Sequence, residues 1–341
     1  MKNIAFVIFL IISIIIFAAS TFIDKNNFEI NENTPVAEVL LQLGEPTPGH
    51  TQNKETTKDL VAIGKNIVLN GLSSRTGEGG RRQSKHFVCT SCHNVQREDP
   101  ILSVSDPEAR LEYAQQNGLP FLQGTTLHGV VNRESWYNGD YDKKYDPRKI
   151  KPAQTDLREA IQLCATECAQ GRELKDWELE GVLAYLWTLE LKMDDLDLSN
   201  ADLQRIENGI NDASQRSELV QFIKSKYSQA SPATFIDQPD NLEAGYQLKG
   251  NADKGKLVYD LSCKHCHENG RYSMFVLGDS KMDYRFMKRN FTKYTRYSTY
   301  HVISYGYATN GKRQYMPNYT LERMSRQQIE DLRAFFERES E

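Results

Sequence analysis

The chain contains the same five-residue pattern twice, as Cys89-Thr90-Ser91-Cys92-His93 and as Cys263-Lys264-His265-Cys266-His267. Two cysteines at this spacing can each form a thioether bond to a vinyl group of haem, and the histidine that follows can then bind the iron. A single copy could also be half of a zinc site or a thiol redox pair. Two copies, each in a segment long enough to wrap a porphyrin, predict two covalently bound haem c groups. The chemistry expected is therefore electron transfer or redox catalysis.

Length and composition describe a folded protein with more than one domain. The chain has 341 residues, which exceeds the usual size of a single domain of about 100–200 residues. A net charge of -4 and a hydrophobic fraction of 39% are typical of a soluble globular protein. These values argue against a nucleic-acid-binding protein and against a disordered chain.

The N-terminus has the pattern of an export signal. Lys2 is followed by an apolar run over 4–19 and by small residues that end at Ser20. We expect 1–20 to be a signal peptide, or a membrane anchor if it is not cleaved. Covalent haem attachment takes place after export, so the predicted location is periplasmic, secreted or anchored to the inner membrane.

Four further segments follow the signal. The pattern predicts a leader over 21–57, a first haem domain over 58–193, a linker over 194–241 and a second haem domain over 242–341. The expected fold class is mainly α, with two class I cytochrome c-like haem domains.

Apolar residues at helical spacing open and close each predicted domain. Helices are expected over 59–69 and 174–191 in the first domain, over 325–336 in the second and around 215–227 in the linker. Both halves follow one plan, which is an opening helix, the haem motif, a variable loop, a sixth ligand and a closing helix. This common plan indicates duplication of a helical module.

In the second domain, Met316 is the predicted sixth ligand of the iron. Pro317 fixes the chain directly after it, and the segment lies shortly before the closing helix. In this arrangement the domain resembles class I cytochromes c over nearly its whole length. His301 is the alternative nitrogen ligand.

The first domain lacks methionine before Met193, so its sixth ligand must be of another kind or lie at the end of the closing helix. Cys164 occupies the place, relative to that helix, that Met316 has in the second domain, and we favour it as the ligand. Cys168, Met193 and His128 remain alternatives. The two cysteines could also form a local disulfide, or either could be a buried free thiol.

Four pieces of the first domain make it resemble the thiosulfate dehydrogenase family of dihaem cytochromes. They are 64–68 (GKNIV), 85–93 (KHFVCTSCH), 127–133 (LHGVVNR), and 158–164 (REAIQLC) followed by 171–172 (GR). The resemblance implies a His/Cys-ligated catalytic haem, with Cys164 as the active-site ligand. Two thiosulfate ions would there be coupled oxidatively to tetrathionate, and the second haem would pass electrons to an external redox partner protein.

Basic residues lie where an anionic sulfur substrate would need them, although each could instead bind a haem propionate or face solvent. They are Arg75, Arg81, Arg82, Lys85, Arg133 and Arg172. The span 271–315 is rich in Lys, Arg and Tyr, which suits docking of an acidic electron partner.

Two other functions compete with sulfur oxidation. A dihaem electron carrier, or a cytochrome subunit of a respiratory chain, needs the same two haem sites. A dihaem peroxidase suits the size of the chain, but the characteristic stretch before the C-terminal methionine region is not found in the sequence.

Overall fold

The computed structural model describes residues 28–51, 56–75, 77–268, 277, 283–308 and 314–341. Helices make up 49% of the structure, and the strands in the described ranges form two short antiparallel hairpins. The prediction of a mainly α protein is confirmed. The signal predicted over 1–20 lies outside the described residues. Among the described helices, none has the length and apolar character needed to cross a membrane.

Within the described residues, the first half contains six α-helices and one hairpin. In chain order they are α1 (Val36–Gln42), α2 (Lys58–Asn70), β1 (Leu72–Arg75), β2 (Glu78–Arg82), α3 (Pro107–Asn117), α4 (Pro147–Ala153), α5 (Leu157–Leu163) and α6 (Asp176–Trp187). The Thr57 hydroxyl caps α2 by accepting from the Leu60 amide at 3.2 Å. Helices α2 and α6 correspond to the predicted opening and closing helices.

The second half of the described chain contributes further helices and a second hairpin, which comes before the last helix. They are α7 (Asn200–Ile210), α8 (Arg216–Lys224), α9 (Ala252–Val258), α10 (Lys264–His267), α11 (Tyr284–Phe291), α12 (Thr299–Tyr305), β3 (Tyr307–Ala308), β4 (Gln314–Met316) and α13 (Arg326–Glu339). Ser325 caps α13, because its hydroxyl accepts from the Gln328 amide at 3.0 Å. Helix α8 confirms the helix expected near 215–227.

Both halves contain the same close crossing of opening and closing helices. A Cβ atom at Gly64 in α2 would lie 1.8 Å from the Gly181 carbonyl oxygen in α6. A Cβ atom at Gly255 in α9 would lie 1.9 Å from the Asp331 carbonyl oxygen in α13. Since only glycine permits backbones to approach this closely, each crossing depends on one residue. The common plan inferred for the two halves therefore extends to their helix packing.

The segments predicted as leader and linker build a structural unit of their own. Helix α1 packs against α7 and α8 through a core that includes Val36, Ile206 and Leu219, all less than 1% exposed. The Val36 amide also donates to the Leu191 carbonyl at 2.9 Å, directly after the closing helix of the first half. These short helices each bury one apolar face. This unit of leader and linker segments thus supports the first half through α1, and its linker part connects the first half to the second.

Candidate functional site

A large apolar cavity lies in the first half and contains the first motif. Its volume is about 1300 Å³, part of which is open to solvent, and Cys89, Cys92 and His93 all line it. Apolar side chains from three helices form much of the remaining wall, namely Ile67 and Val68 of α2, Leu157 and Ala160 of α5, and Val182 and Leu186 of α6. The mainly apolar lining, with a few polar groups among it, is typical of sites that bind small molecules or cofactors.

The His93 ring is oriented by its own backbone surroundings. Its Nδ1–H donates to the Thr125 carbonyl at 2.6 Å, which leaves the Nε2 lone pair available for a metal. Burial lowers the pKa of His93, so the ring is neutral at pH 7. A Cβ atom at Gly124 would lie 2.4 Å from His93 Cε1, so only glycine allows the ring to pack here. The histidine therefore has the tautomer and the fixed orientation of a metal ligand.

Cys164 and Cys168 line the same cavity from a π-helical turn, Cys164–Cys168, that continues α5. The Ala169 amide donates to the Cys164 carbonyl at 2.8 Å, an i→i+5 bond that widens the helix at this point. Gln83 Nε2 donates to the Ala165 carbonyl at 2.9 Å. This bond ties the π turn to the segment that precedes the first motif. Four cysteines thus lie around one cavity, and all four thiols are free.

The two thiols of the π turn have different surroundings. They are hydrogen-bonded to each other, and the Tyr145 hydroxyl lies 3.9 Å from Cys168 Sγ. The hydrogen bond from Cys164 lowers the pKa of Cys168 to about 7, with help from Tyr145 and from the charge of Lys144, whereas burial opposes the shift. The same hydrogen bond and burial raise the pKa of Cys164. Of the two thiols, Cys168 is therefore the one that ionises more readily.

The other ligand candidates of the first domain lie outside the cavity wall. Met193 belongs to the core around α1, α7 and α8 and is 2% exposed. His128 Nε2 lies 3.4 Å from a carboxylate oxygen of Asp195. Neither residue is among those that line the cavity. The choice suggested by the geometry is therefore between Cys164 and Cys168.

The second motif spans a π turn, Tyr259–Cys263, and helix α10. Cys263 packs against the core of the second half, and burial raises the pKa of its thiol to about 11. Met316 ends β4, three residues before Tyr319, whose hydroxyl lies near Ser262 and the two motif cysteines. His301 accepts a hydrogen bond from Gln238 Nε2 at 2.5 Å. Residues 269–276, 278–282 and 309–313 of this half lie outside the described ranges.

The two motifs are in contact with each other. Cys266 Sγ lies 3.9 Å from the carbonyl oxygen of Ser91, which is inside the first motif. Nearby, the Phe121 amide donates to the Leu261 carbonyl at 2.9 Å. No local pattern in the sequence indicates this contact, because its two residues are 175 positions apart. It brings the cysteine-bearing turns of both halves to one point.

A buried ion cluster joins the halves beside this contact. Glu98, which is 1% exposed, lies 2.8 Å from Arg323 of the second half and 4.0 Å from Arg110. The same carboxylate accepts from Asn94 Nδ2 at 2.8 Å and from the Thr126 amide at 2.6 Å. Sequence patterns did not indicate this cluster, since each charged residue taken alone resembles a surface residue.

The structure places the basic residues that were predicted to bind an anion in three different environments. Arg133 lines the cavity. Arg172 instead pairs with Glu178, at 2.6 Å between Nη1 and Oε2, and this pair supports the fold. The others are exposed, namely Arg75, Arg81, Arg82 and Lys85.

Comparison with protein-family models, with curated proteins and with solved structures gave no match. Within the described ranges, no group of three or more His, Cys, Asp or Glu side chains could hold a bare metal ion. The site must therefore be interpreted from its own geometry.

Proposed function

We propose that the protein is a dihaem c-type cytochrome that transfers electrons between a substrate site in its first half and an external partner. The observation that carries this proposal is the placement of Cys89, Cys92 and His93 on the wall of one large apolar cavity. Two free thiols, an available Nε2 and an apolar enclosure are what covalent haem attachment needs.

Haem supplies one-electron transfer between the ferric and ferrous states of its iron. The residues of the chain supply attachment, orientation and surroundings. Cys89 and Cys92 would hold the porphyrin edge, and His93, held by Thr125, would bind the iron from one side. Cys164 is the proposed sixth ligand, with Cys168 as its hydrogen-bond partner. A thiolate ligand favours the ferric state and lowers the reduction potential.

The second half is proposed to hold the relay haem. Cys263 and Cys266 would attach it, and His267 and Met316 would bind its iron. The 3.9 Å contact between Cys266 and Ser91 supports direct electron transfer between the two sites, because it brings the attachment turns together. Electrons would then leave from the second half to a redox partner protein on the periplasmic side of the membrane.

The substrate proposed for the first site is a small inorganic sulfur anion such as thiosulfate. Two thiosulfate ions that join through a new S–S bond form tetrathionate and release two electrons, one for each haem. The resemblance of the first domain supports this chemistry, as do two sulfur side chains on the cavity wall. We propose thiosulfate oxidation on these grounds.

One observation favours a simple electron carrier instead. Thr320 and Arg323 of the second half, with Ser231 and Pro232 of the connecting segment, form part of the wall of the first cavity. This cover would restrict entry of a substrate while leaving electron transfer unaffected.

Two measurements test the proposal in order. The intact mass of the purified exported protein should show two covalent haem groups, and their absence would overturn the proposal. The oxidised dihaem protein should then be mixed with thiosulfate under anaerobic conditions. Haem reduction with formation of tetrathionate supports the enzyme. A dihaem protein that thiosulfate does not reduce is the electron carrier.

A further inference from the structure

We propose that Arg133 and Thr320, beside the buried Arg323, form an anion site on the wall of the first cavity, which binds one carboxylate or sulfur oxyanion. This inference rests on the proposed function, since it concerns the same cavity. Arg133 comes from the first half, whereas Thr320 and Arg323 come from the second half. All three line the cavity that contains Cys89, Cys92 and His93. The site therefore exists only where the two halves meet.

Two of these residues have hydrogen-bond donors without a protein acceptor. Arg133 donates from Nη1 alone, to Thr125 Oγ1 at 3.1 Å and to Ser231 Oγ at 3.3 Å. Its Nε and Nη2 have no acceptor among the residues that the structure describes. Thr320 is 6% exposed, and its hydroxyl is buried without a partner within the described ranges. A buried hydroxyl such as that of Thr320 costs free energy unless a ligand satisfies it, and the half-buried Arg133 offers its spare donors beside the same cavity.

The local charge also requires an anion. Three guanidinium groups lie together, those of Arg110, Arg133 and Arg323, and the carboxylates near them are those of Glu98 and Asp99. Glu98 is committed to Arg323 and Arg110. With both carboxylates ionised, three positive charges face two negative ones, and the excess positive charge at the half-buried Arg133 attracts an anion.

Two shifts in pKa are consistent with an anion bound at this site. Burial lowers the pKa of Arg133, although Glu98 and Asp99 act in the opposite direction. Burial raises the pKa of Asp99, which weakens it as a counter-charge. A planar oxyanion fits the remaining donors, because a guanidinium can give it two parallel hydrogen bonds.

The ligand class is thus an oxyanion of one negative charge or more at this position. It can come from two sources, a propionate of the haem attached at Cys89 and Cys92, or a free sulfur oxyanion such as thiosulfate. Both sources use the same donors, so the experiment must distinguish them.

The experiment uses the full dihaem protein with two site variants and one control. Arg133→Gln removes the charge, and Thr320→Val removes the hydroxyl at nearly constant volume. Arg148→Gln removes the same charge from a side chain that is 90% exposed. Covalent haem content is measured first by intact mass. The first readout is the propionate-bending band in the resonance Raman spectrum of the first haem without added anion. The second is the dissociation constant of thiosulfate, from the shift of the haem absorption spectrum.

A propionate ligand predicts that both site variants shift the Raman band and that the control does not. A free oxyanion predicts an unshifted band and thiosulfate binding at least tenfold weaker in both site variants. Either result supports the anion site and identifies its source. If both site variants behave like Arg148→Gln in both readouts, the inference is wrong while the dihaem function stands. A chain without covalent haem overturns the proposed function and this inference with it.

Discussion

Glu98 is the residue on which the junction between the halves depends. Burial alone would raise its pKa, but Arg323 and Arg110 outweigh that effect and lower the pKa to about 2 from an ordinary 4.5. We expect Glu98→Gln to lower the free energy of unfolding by about 3 kcal/mol at pH 7, since it leaves two buried guanidinium groups without their counter-charge. Denaturant unfolding followed by circular dichroism measures this change.

The same residue gives a pH dependence with a defined sign. A carboxylate with a lowered pKa in the folded state contributes stability above its unfolded pKa of 4.5 and loses it as the pH falls toward about 2. The difference in free energy of unfolding between the wild type and Glu98→Gln should therefore decrease as the pH falls from 4.5 toward about 2. Glu218→Gln is the matched control, because it breaks an exposed pair with Arg205 and should cost less than about 1 kcal/mol. A constant difference down to pH 2 would contradict this account.

One pair of variants distinguishes which thiol of the π turn is the proposed iron ligand. Provided that the proposed function holds, we expect Cys164→Ala to remove the thiolate features from the absorption and electron paramagnetic resonance spectra of the first haem. Cys168→Ala should keep these thiolate features. Cys168, which lies near the Tyr145 hydroxyl, is proposed as a hydrogen-bonding neighbour of the ligand and not as the ligand itself. Loss of the features in Cys168→Ala alone would assign the ligand to Cys168 instead.

At the scale of secondary-structure elements, the two helix crossings are the positions where we expect substitutions to lower stability most. Alanine is normally a better helix former than glycine by about 1 kcal/mol. We nevertheless expect Gly255→Ala to destabilise the protein by about 1–3 kcal/mol, because its Cβ would lie 1.9 Å from backbone of α13. Gly139→Ala is the control, since no atom lies within 4 Å of its Cβ position. Thermal unfolding of both variants measures the contrast, and equal stability of the two would refute the crossing argument.

The same elements show how far sequence reasoning reaches. Helices α2, α6 and α13 were predictable because their apolar residues recur at helical spacing over three turns or more. Helix α1 was not, since seven residues that follow a proline carry too little periodicity. The cavity wall was predictable for Cys89, Cys92, His93 and the π-turn cysteines, which lie in recognisable motifs. Thr320 and Arg323 could not be placed there, because a contact between distant segments leaves no local pattern.

At the scale of the whole molecule, charge is distributed unevenly. The net charge is -4, yet four basic side chains are exposed on or just after α11: Arg285, Lys288, Arg289 and Lys293. None of the four has an ion-pair partner within the described residues. The inner side of α11 contributes Tyr284 and Met287 to the core that contains Cys263. This basic face, as we name these four residues, is therefore one helix away from the proposed relay haem.

The basic face predicts how electrons leave the protein, provided that the proposed function holds. We expect oxidation of the reduced protein by ferricyanide, an anion, to slow in the double variant Lys288→Glu/Arg289→Glu by about tenfold at low ionic strength. The effect should vanish near 0.5 M salt, where screening acts within about 5 Å. A cationic cobalt phenanthroline oxidant should respond in the opposite direction. The control, Lys249→Glu/Lys254→Glu, reverses two exposed charges outside the basic face and changes the net charge equally. Stopped-flow rates that fall equally in both double variants would show that net charge governs the reaction, and that electrons do not leave through this face.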